Sequence, residues 1–230
     1  MRQVQLQNKK VYPFRDKVEL LEYISDKKKM LVAINAEKIL NADEQLTKII
    51  NNNIGYPDGI GTVWALKKKG VIVERIPGVE LWLDIIKKYK NSKNFYFIGS
   101  SEEVIYETAR KIKTEHPEIT ILNYRNGYIK DGEKELLILD LIDKQPDIVF
   151  VAMGTPKQEY LMNELLSKHP ALYLGLGGSF DVYCGKLKRA PKIFLKLNLE
   201  WLYRLLKEPT RIKRQLQLLR FLYLLKLNKL

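Results

Sequence analysis

Short apolar runs alternate with longer amphipathic stretches along most of this 230-residue chain, and this alternation restricts its fold more than any other feature. The apolar runs are rich in β-branched and aromatic residues, and they carry apolar side chains on both faces. The stretches between them repeat apolar residues at helical spacing. Strands of this kind, separated by helices, are typical of parallel sheets covered on both faces. We therefore predict an α/β fold with a Rossmann-like parallel sheet flanked by helices.

The predicted strands and helices divide the chain into two regions. The strands are MLVAIN (30–35), NFYFIG (94–99), ITILNY (119–124), DIVFVAM (147–153) and ALYLGLG (171–177), with a shorter run, NIGY (53–56). Helices are predicted over 101–116 and 131–144, with Ser101 and Asp131 as start signals. Near Pro191 the alternation stops and a basic, Leu-rich helical region begins. We predict an α/β core over residues 1–192 and a helical, membrane-associating appendage over 193–230.

The charge balance predicts an anionic partner. Lys and Arg number 40 against 27 Asp and Glu, a formal net charge of +13. From Glu200 onward eight Lys and Arg face two Glu, so much of the excess lies in the Leu-rich tail. Nucleic acid, anionic lipid and a phosphorylated substrate all fit such a patch. Nucleic acid is disfavoured because no nucleic-acid-binding motif occurs.

Cysteine content and hydropathy indicate an intracellular protein. Cys184 is the only cysteine, which excludes an intramolecular disulfide and a Cys-based zinc site. The first residues lack the apolar core and cleavage site of a signal peptide. No stretch approaches the roughly 20 apolar residues that span a bilayer. We expect a cytoplasmic location.

Polar residues follow several predicted strands, where ligands bind in open parallel sheets. Each alone could be an ordinary turn residue, but together they predict a site on one rim; they are Asn35, Asp58, Gln158 and Asp181. The chain has no GxGxxG, no phosphate loop and no GxSxG elbow. His116 and His169 each precede Pro at a helix end, so we expect structural roles. No Asp-x-Asp occurs, so we expect no metal. If the substrate carries a diphosphate, backbone amides and Arg or Lys must neutralise it.

Six motifs, taken in order, resemble the WecG/TagA/CpsF glycosyltransferases over about residues 30 to 220. They are INAEK (34–38), PDGIGTVWALKKKG (57–70), ERIPGVELW (74–82), VAMGTPKQE (151–159), GLGGSFDVYCGKLKRAP (175–191) and LEWLYRLLKEPTRIKRQ (199–215). The resemblance implies an inverting, metal-independent enzyme without cofactor. It would move an N-acetylmannosamine-type sugar, either N-acetylmannosaminuronic acid or N-acetylmannosamine, from UDP to undecaprenyl-diphosphate-linked N-acetylglucosamine for surface polysaccharide synthesis. The motifs look most like the WecG branch, which uses the uronic acid.

The resemblance also implies roles for individual residues. Asp58 matches the general base, and Arg75 and Gln158 match catalytic-site residues. The matching substrate-binding positions are Asn35, Gly59, Ser100, Gly178, Ser179, Asp181, Lys188 and Arg189. Ala33 stands where some members carry a threonine, which leaves sugar specificity open. Another UDP-hexose such as UDP-glucose, or a non-catalytic membrane-associated scaffold, remains an alternative.

The tail resembles the family's acceptor-binding segment. Arg204, Arg211 and Arg214 match arginines that would bind the diphosphate of the lipid-linked acceptor. Beyond them, LQLLRFLYLLKL is interrupted by charges, which is typical of a helix that lies in the membrane interface. We expect a peripheral protein on the inner face of the cell membrane, able to form homo-oligomers through its α/β core.

Overall fold

The computed structural model describes residues 2–197, 199–207 and 212–230, except for the side chains of Lys196, Arg204 and residues 212–216. These residues form eight strands and twelve helices. The strands are β1 (Val4–Leu6), β2 (Lys9–Val11), β3 (Met30–Ile34), β4 (Ile54–Pro57), β5 (Asn94–Gly99), β6 (Thr120–Arg125), β7 (Ile148–Ala152) and β8 (Leu172–Gly175). The helices are α1 (Lys17–Tyr23), α2 (Ala36–Leu40), α3 (Glu44–Asn52), α4 (Ile60–Lys68), α5 (Gly78–Tyr89), α6 (Glu102–Glu115), α7 (Glu133–Lys144), α8 (Lys157–Lys168), α9 (Ser179–Tyr183), α10 (Lys192–Lys196), α11 (Glu200–Lys207) and α12 (Ile212–Lys226).

Six strands form one sheet in the order β4-β3-β8-β7-β5-β6, and every neighbouring pair is parallel. The predicted parallel α/β sheet is confirmed, including the short strand over NIGY. A small antiparallel hairpin of β1 and β2 precedes it, which the periodicity did not predict because each strand has only three residues. The chain leaves β5 towards β6 and β7 towards β8, in opposite directions. Such a reversal opens a crevice at the carboxyl ends of the strands.

The sheet is buried on both faces, as the sequence of its strands requires. Phe97 and Phe150 pack on one face with Trp82 of α5, and the ring centroids of Trp82 and Phe150 lie 5.9 Å apart. Tyr96 and Val149 face the opposite core, which α8 covers. Alternate residues of the same strand thus enter different cores, so neither face can be polar.

Two predicted helix starts have different outcomes. Ser101 caps α6, its hydroxyl accepting the Val104 N–H at 3.4 Å. Helix α7 begins at Glu133 rather than beside Asp131, and its cap is Gly132, with φ of 82° and no side-chain hydrogen bond. The left-handed turn at Gly132 separates Asp131 from the helix, so Asp131 cannot cap it.

The last helix packs on the core. Helix α12 lies against α2 and α4, and its Phe221 is 0% exposed. A Cβ added to Gly61 of α4 would come within 3.0 Å of the Phe221 ring, so glycine permits this close approach. The Lys68 ammonium donates to the Leu225 carbonyl at 2.6 Å. Within the described part of the chain, no helix combines the length and apolarity needed to cross a membrane.

Candidate active site

Asn35 and Asp58 stand side by side at the carboxyl ends of two adjacent strands. The register pairs Ile34 of β3 with Pro57 of β4, so the next residue of each strand reaches the same level of the rim. The Asn35 side chain caps α2 by accepting the Lys38 N–H at 2.9 Å. A Cβ on Gly59 would lie 3.0 Å from Cβ of Asn35, so the PDG turn needs glycine for this contact. The predicted rim is therefore present here.

The Asp58 carboxyl group is held at the start of α5. Its Oδ1 accepts the Gly78 N–H at 2.8 Å. Burial raises the pKa of Asp58 above its ordinary value, against the opposing effects of this hydrogen bond and of the positive charges of Arg75 and Lys38. The negative charge of Glu200 raises the pKa further. A carboxylate with a raised pKa is better matched to accepting a proton from a hydroxyl group than an ordinary aspartate.

Arg75 connects Asp58 to the C-terminal helices. Its Nε donates to the backbone carbonyl of Asp58 at 2.7 Å. Its Nη2 lies 3.2 Å from a carboxylate oxygen of Glu200, which is buried on α11. The structure therefore brings Arg75 to Asp58 and adds Glu200. This acidic partner could not be predicted from sequence because it lies 125 residues away along the chain.

Gln158 is buried beneath the rim, with 4% of its surface exposed. Its Oε1 accepts the Gly177 N–H at 2.9 Å and the Gly154 N–H at 3.2 Å. A Cβ on Gly175 would come within 2.5 Å of the Gln158 amide nitrogen. In this arrangement the amide fixes the loops that follow β7 and β8.

A second group of predicted residues meets at the ends of β5 and β8. Ser100 adopts a left-handed backbone with φ of 55°, and its hydroxyl donates to Oδ1 of Asp181 at 3.0 Å. The Ser179 hydroxyl is buried and donates to the Leu176 carbonyl at 2.6 Å. Gly178, by contrast, is exposed. Of this group, Gly178 is accessible to a ligand, whereas the Ser179 hydroxyl is used in a hydrogen bond within its own turn.

Of the remaining predicted basic residues, the structure describes the surroundings of Arg189 and Lys188 only. Arg189 forms an ion pair with Glu80 in the first turn of α5, and its Nε is buried without a hydrogen-bond partner among the described residues. Lys188 is exposed. The side chains of Arg204, Arg211 and Arg214 lie outside the described residues.

Sequence reasoning missed a buried ion pair beside this rim. Lys38 of α2 and Glu159 of α8 approach to 2.7 Å between Nζ and Oε1. Their side chains are 5% and 1% exposed. Both lie in motifs already recognised, INAEK and VAMGTPKQE, but their pairing depends on the packing of distant helices. Nearby, Tyr56 Oη and Glu159 Oε2 are buried and find no hydrogen-bond partner in the described part of the chain.

The histidines have structural contacts. His169 ends α8, is buried, and its Nε2 lies 2.7 Å from the Pro146 carbonyl. His116 ends α6, with its Nδ1 3.2 Å from Nζ of Lys90. Among the described residues, no three His, Cys, Asp or Glu side chains gather as a metal-binding group.

A comparison with protein-family models gives one match that covers nearly the whole chain. Residues 10–230 match the Glycosyl transferase WecG/TagA/CpsF family. The match includes the rim residues Asn35, Asp58 and Gln158 as well as the C-terminal helices.

Proposed function

The chain belongs to the WecG/TagA/CpsF family of glycosyltransferases, and from this premise we propose that it transfers an N-acetylmannosamine-type sugar from UDP to a polyprenyl-diphosphate-linked N-acetylglucosamine. N-acetylmannosaminuronic acid is the first candidate for the sugar, and N-acetylmannosamine is the second. The product would be a lipid-linked disaccharide for a surface polysaccharide.

The observation that carries this proposal is the Asp58 carboxyl group at the sheet rim. One oxygen accepts the Gly78 N–H, and the surroundings raise the pKa of the group, with burial as the main cause. In the proposed step, a hydroxyl oxygen of the acceptor attacks the anomeric carbon while the bond to the UDP oxygen breaks. The electron pair of that bond leaves with UDP, and the hydroxyl proton moves to Asp58. Attack from the face opposite the leaving group inverts the anomeric centre.

Arg75 and Gln158 support the same step in different ways. The Arg75 guanidinium, fixed by the Asp58 carbonyl and Glu200, provides positive charge beside the base for the departing diphosphate. Gln158 fixes the loops at Gly154 and Gly177, whose backbones would line the donor. Ser100, Asp181 and Gly178 would form the nucleotide end of the cleft. No Asp-x-Asp motif occurs, which supports neutralisation of the diphosphate by these cations and backbone amides rather than by a metal.

We further propose that the C-terminal helices associate with the inner face of the cell membrane. Leu219 and Tyr223 of α12 and Leu227, directly after it, lie four residues apart and are exposed, and Arg220 and Lys226 lie beside them in sequence. Apolar side chains flanked by cations suit the interface of an anionic bilayer. Arg204, Arg211 and Arg214 would then meet the diphosphate of the acceptor.

The function is tested with a panel of UDP-sugars, UDP-glucose included, and a short-chain polyprenyl-diphosphate-N-acetylglucosamine acceptor. We expect one N-acetylmannosamine-type donor to give a β-linked disaccharide, with activity unchanged by a chelator. No transfer from any donor would contradict the enzymatic proposal and favour a scaffold. Loss of activity in chelator, restored by Mg²⁺ or Mn²⁺, would contradict metal independence.

Asp58→Asn separates the role of a base from that of a helix cap. The asparagine oxygen can still accept the Gly78 N–H, so the fold should persist, whereas transfer should fall by about 10²-fold or more. Asp58→Glu, which retains a carboxyl group, is the matched comparison. A folded Asp58→Asn variant with wild-type kcat would exclude Asp58 as the base.

A further inference from the structure

The buried ion pair of Lys38 and Glu159 has no part in the proposed step. Taking two charges out of water is unfavourable, and a buried pair often stabilises a fold no better than apolar side chains of similar volume. In addition, Oε2 of Glu159 is buried without a hydrogen-bond partner among the described residues. Stability alone therefore accounts poorly for two charges at 5% and 1% exposure.

Lys38 connects the pair to the end of β3. Its Nζ donates to the Ala33 carbonyl at 3.0 Å, two residues before Asn35. Its backbone N–H donates to the Asn35 side chain at 2.9 Å. Lys38 therefore holds both the strand end and the side chain that stands beside Asp58.

Glu159 connects the pair to the start of α8. Its Oε1 accepts from the Thr155 hydroxyl at 3.1 Å and from the Gln158 amide at 3.2 Å. The same Gln158 side chain accepts the Gly177 N–H. A continuous chain of polar contacts thus runs from the end of β3, through the ion pair, to the loop after β8.

Lys38 is also one of the charges that act on Asp58. Lys38 of α2 and Arg75, which precedes α5, both favour the ionised form, whereas Glu200 of α11 opposes it. Tyr56 of β4 lies in the same field: burial raises the pKa of its hydroxyl most, followed by the charges of Asp58 and Glu159.

We propose that Lys38 and Glu159 are positioning residues for sugar transfer. The pair fixes the end of β3, with Asn35, against the start of α8, with Gln158, and Lys38 keeps a positive charge beside the Asp58 carboxylate. This inference rests on the proposed function, because its effect is measured on the transfer reaction.

The first test removes both charges together in Lys38→Met/Glu159→Gln. The new amide keeps an acceptor oxygen for Thr155 and Gln158, so the variant should fold and unfold within a few degrees of wild type. Its kcat should nevertheless fall by about tenfold or more, because misplacing catalytic groups by about 1 Å can lower the rate by about 100-fold. The matched control is Lys134→Gln/Glu164→Gln, which removes a half-exposed ion pair whose carboxylate also lies on α8. Its kcat should not change.

A wild-type kcat in the folded charge-free variant would overturn the inference. An inactive wild-type protein would instead overturn the proposed function, so the two failures are distinct. If the charge-free variant does not fold, Glu159→Asp provides the test of the inference. It keeps the charge but shortens the side chain, so kcat should fall while the pH dependence of kcat/KM stays in place; an unchanged kcat would again overturn the inference.

The second test is the pH profile of Lys38→Met. Loss of the cation beside Asp58 favours the protonated acid, so the acidic limb of kcat/KM should move to higher pH. Lys38→Arg, which restores a positive charge, should move the limb back. A merely structural role would leave the limb in place, and an unmoved limb in Lys38→Met would refute the electrostatic half of the inference.

Discussion

At the scale of single residues, Asp58 uses its two carboxylate oxygens differently. Oδ1 accepts the Gly78 N–H at the start of α5. A proton can therefore be taken up on Oδ2 without breaking this helix cap. The same burial that raises the pKa of Asp58 makes its ionised form unfavourable in the folded state. A group suited to catalysis is therefore expected to lower stability.

We predict that Asp58→Asn raises the unfolding temperature at neutral pH. Because the folded pKa is raised above the unfolded one, the wild-type free energy of unfolding decreases as the pH rises through the interval between them. Below the unfolded pKa both states are protonated, and this penalty is absent. The gain from Asp58→Asn should therefore be largest at neutral pH and vanish in acid, as measured by thermal unfolding across pH. An equal gain at every pH would contradict this origin.

The pH dependence of wild-type activity should also report the raised pKa of Asp58. As a base, Asp58 acts only when ionised, so kcat/KM should fall as the pH decreases through its raised pKa. The acidic limb should lie at higher pH than an exposed aspartate, of pKa about 3.9, would give. A limb at or below that value would show that another group titrates.

At the scale of secondary-structure elements, α12 has one buried and one exposed apolar face. Phe221 is buried against Gly61 of α4, whereas Leu219 and Tyr223 are exposed on the same helix. Helices α2 and α4, which α12 contacts, begin beside Asn35 and Asp58. Docking of α12 therefore fixes the C-terminal helices relative to the rim of the sheet.

We predict that Phe221→Ala destabilises the protein by about 3 kcal/mol, because it leaves a cavity between α12 and α4. Leu219→Ala, on the same helix at 61% exposure, is the matched control and should change stability by less than about 0.5 kcal/mol. Chemical denaturation of both variants measures the difference. Equal stabilities would show that α12 is not part of the cooperative fold.

At the scale of the whole molecule, charge and exposed apolar surface coincide at the C-terminal end. The chain carries a net charge of +13, and exposed apolar side chains recur from α10 to the turn after α12; they include Ile193, Leu197, Leu206, Leu219, Tyr223 and Leu227. The proposed site and the proposed membrane surface thus belong to one body, linked through Arg75 and Glu200.

We predict that Leu219→Glu/Tyr223→Glu/Leu227→Glu abolishes binding to vesicles containing anionic lipid, while the unfolding temperature stays near that of wild type. Wild-type binding should weaken in salt because exposed charges are screened beyond about 10 Å at 0.1 M. Sedimentation with anionic and neutral vesicles measures both effects. Undiminished binding by the triple variant would place the membrane surface elsewhere.

Deletion of residues 197–230 would probe the tail less specifically than these substitutions. It would remove Phe221 and uncover the apolar surface of α2 and α4 as well as the exposed stripe. The sequence alone could not show that this segment covers the core, because an amphipathic pattern does not distinguish a face that packs on protein from one that meets lipid.

The sequence by itself determined the parallel sheet and the residues at its rim. Apolar runs on both faces specify buried strands, and the carboxyl ends of parallel strands necessarily share one edge, which puts Asn35 and Asp58 on the same rim. That they are neighbours there follows from the pairing of β3 with β4 in the folded sheet. Only the tertiary structure paired Lys38 with Glu159, Arg75 with Glu200, and Gly61 with Phe221. Periodicity records which face of an element is buried, whereas the partner of a buried charge depends on how distant elements pack. For that reason the sequence identified the residues at the strand ends, whereas the ion pairs and packing contacts around them depend on the fold.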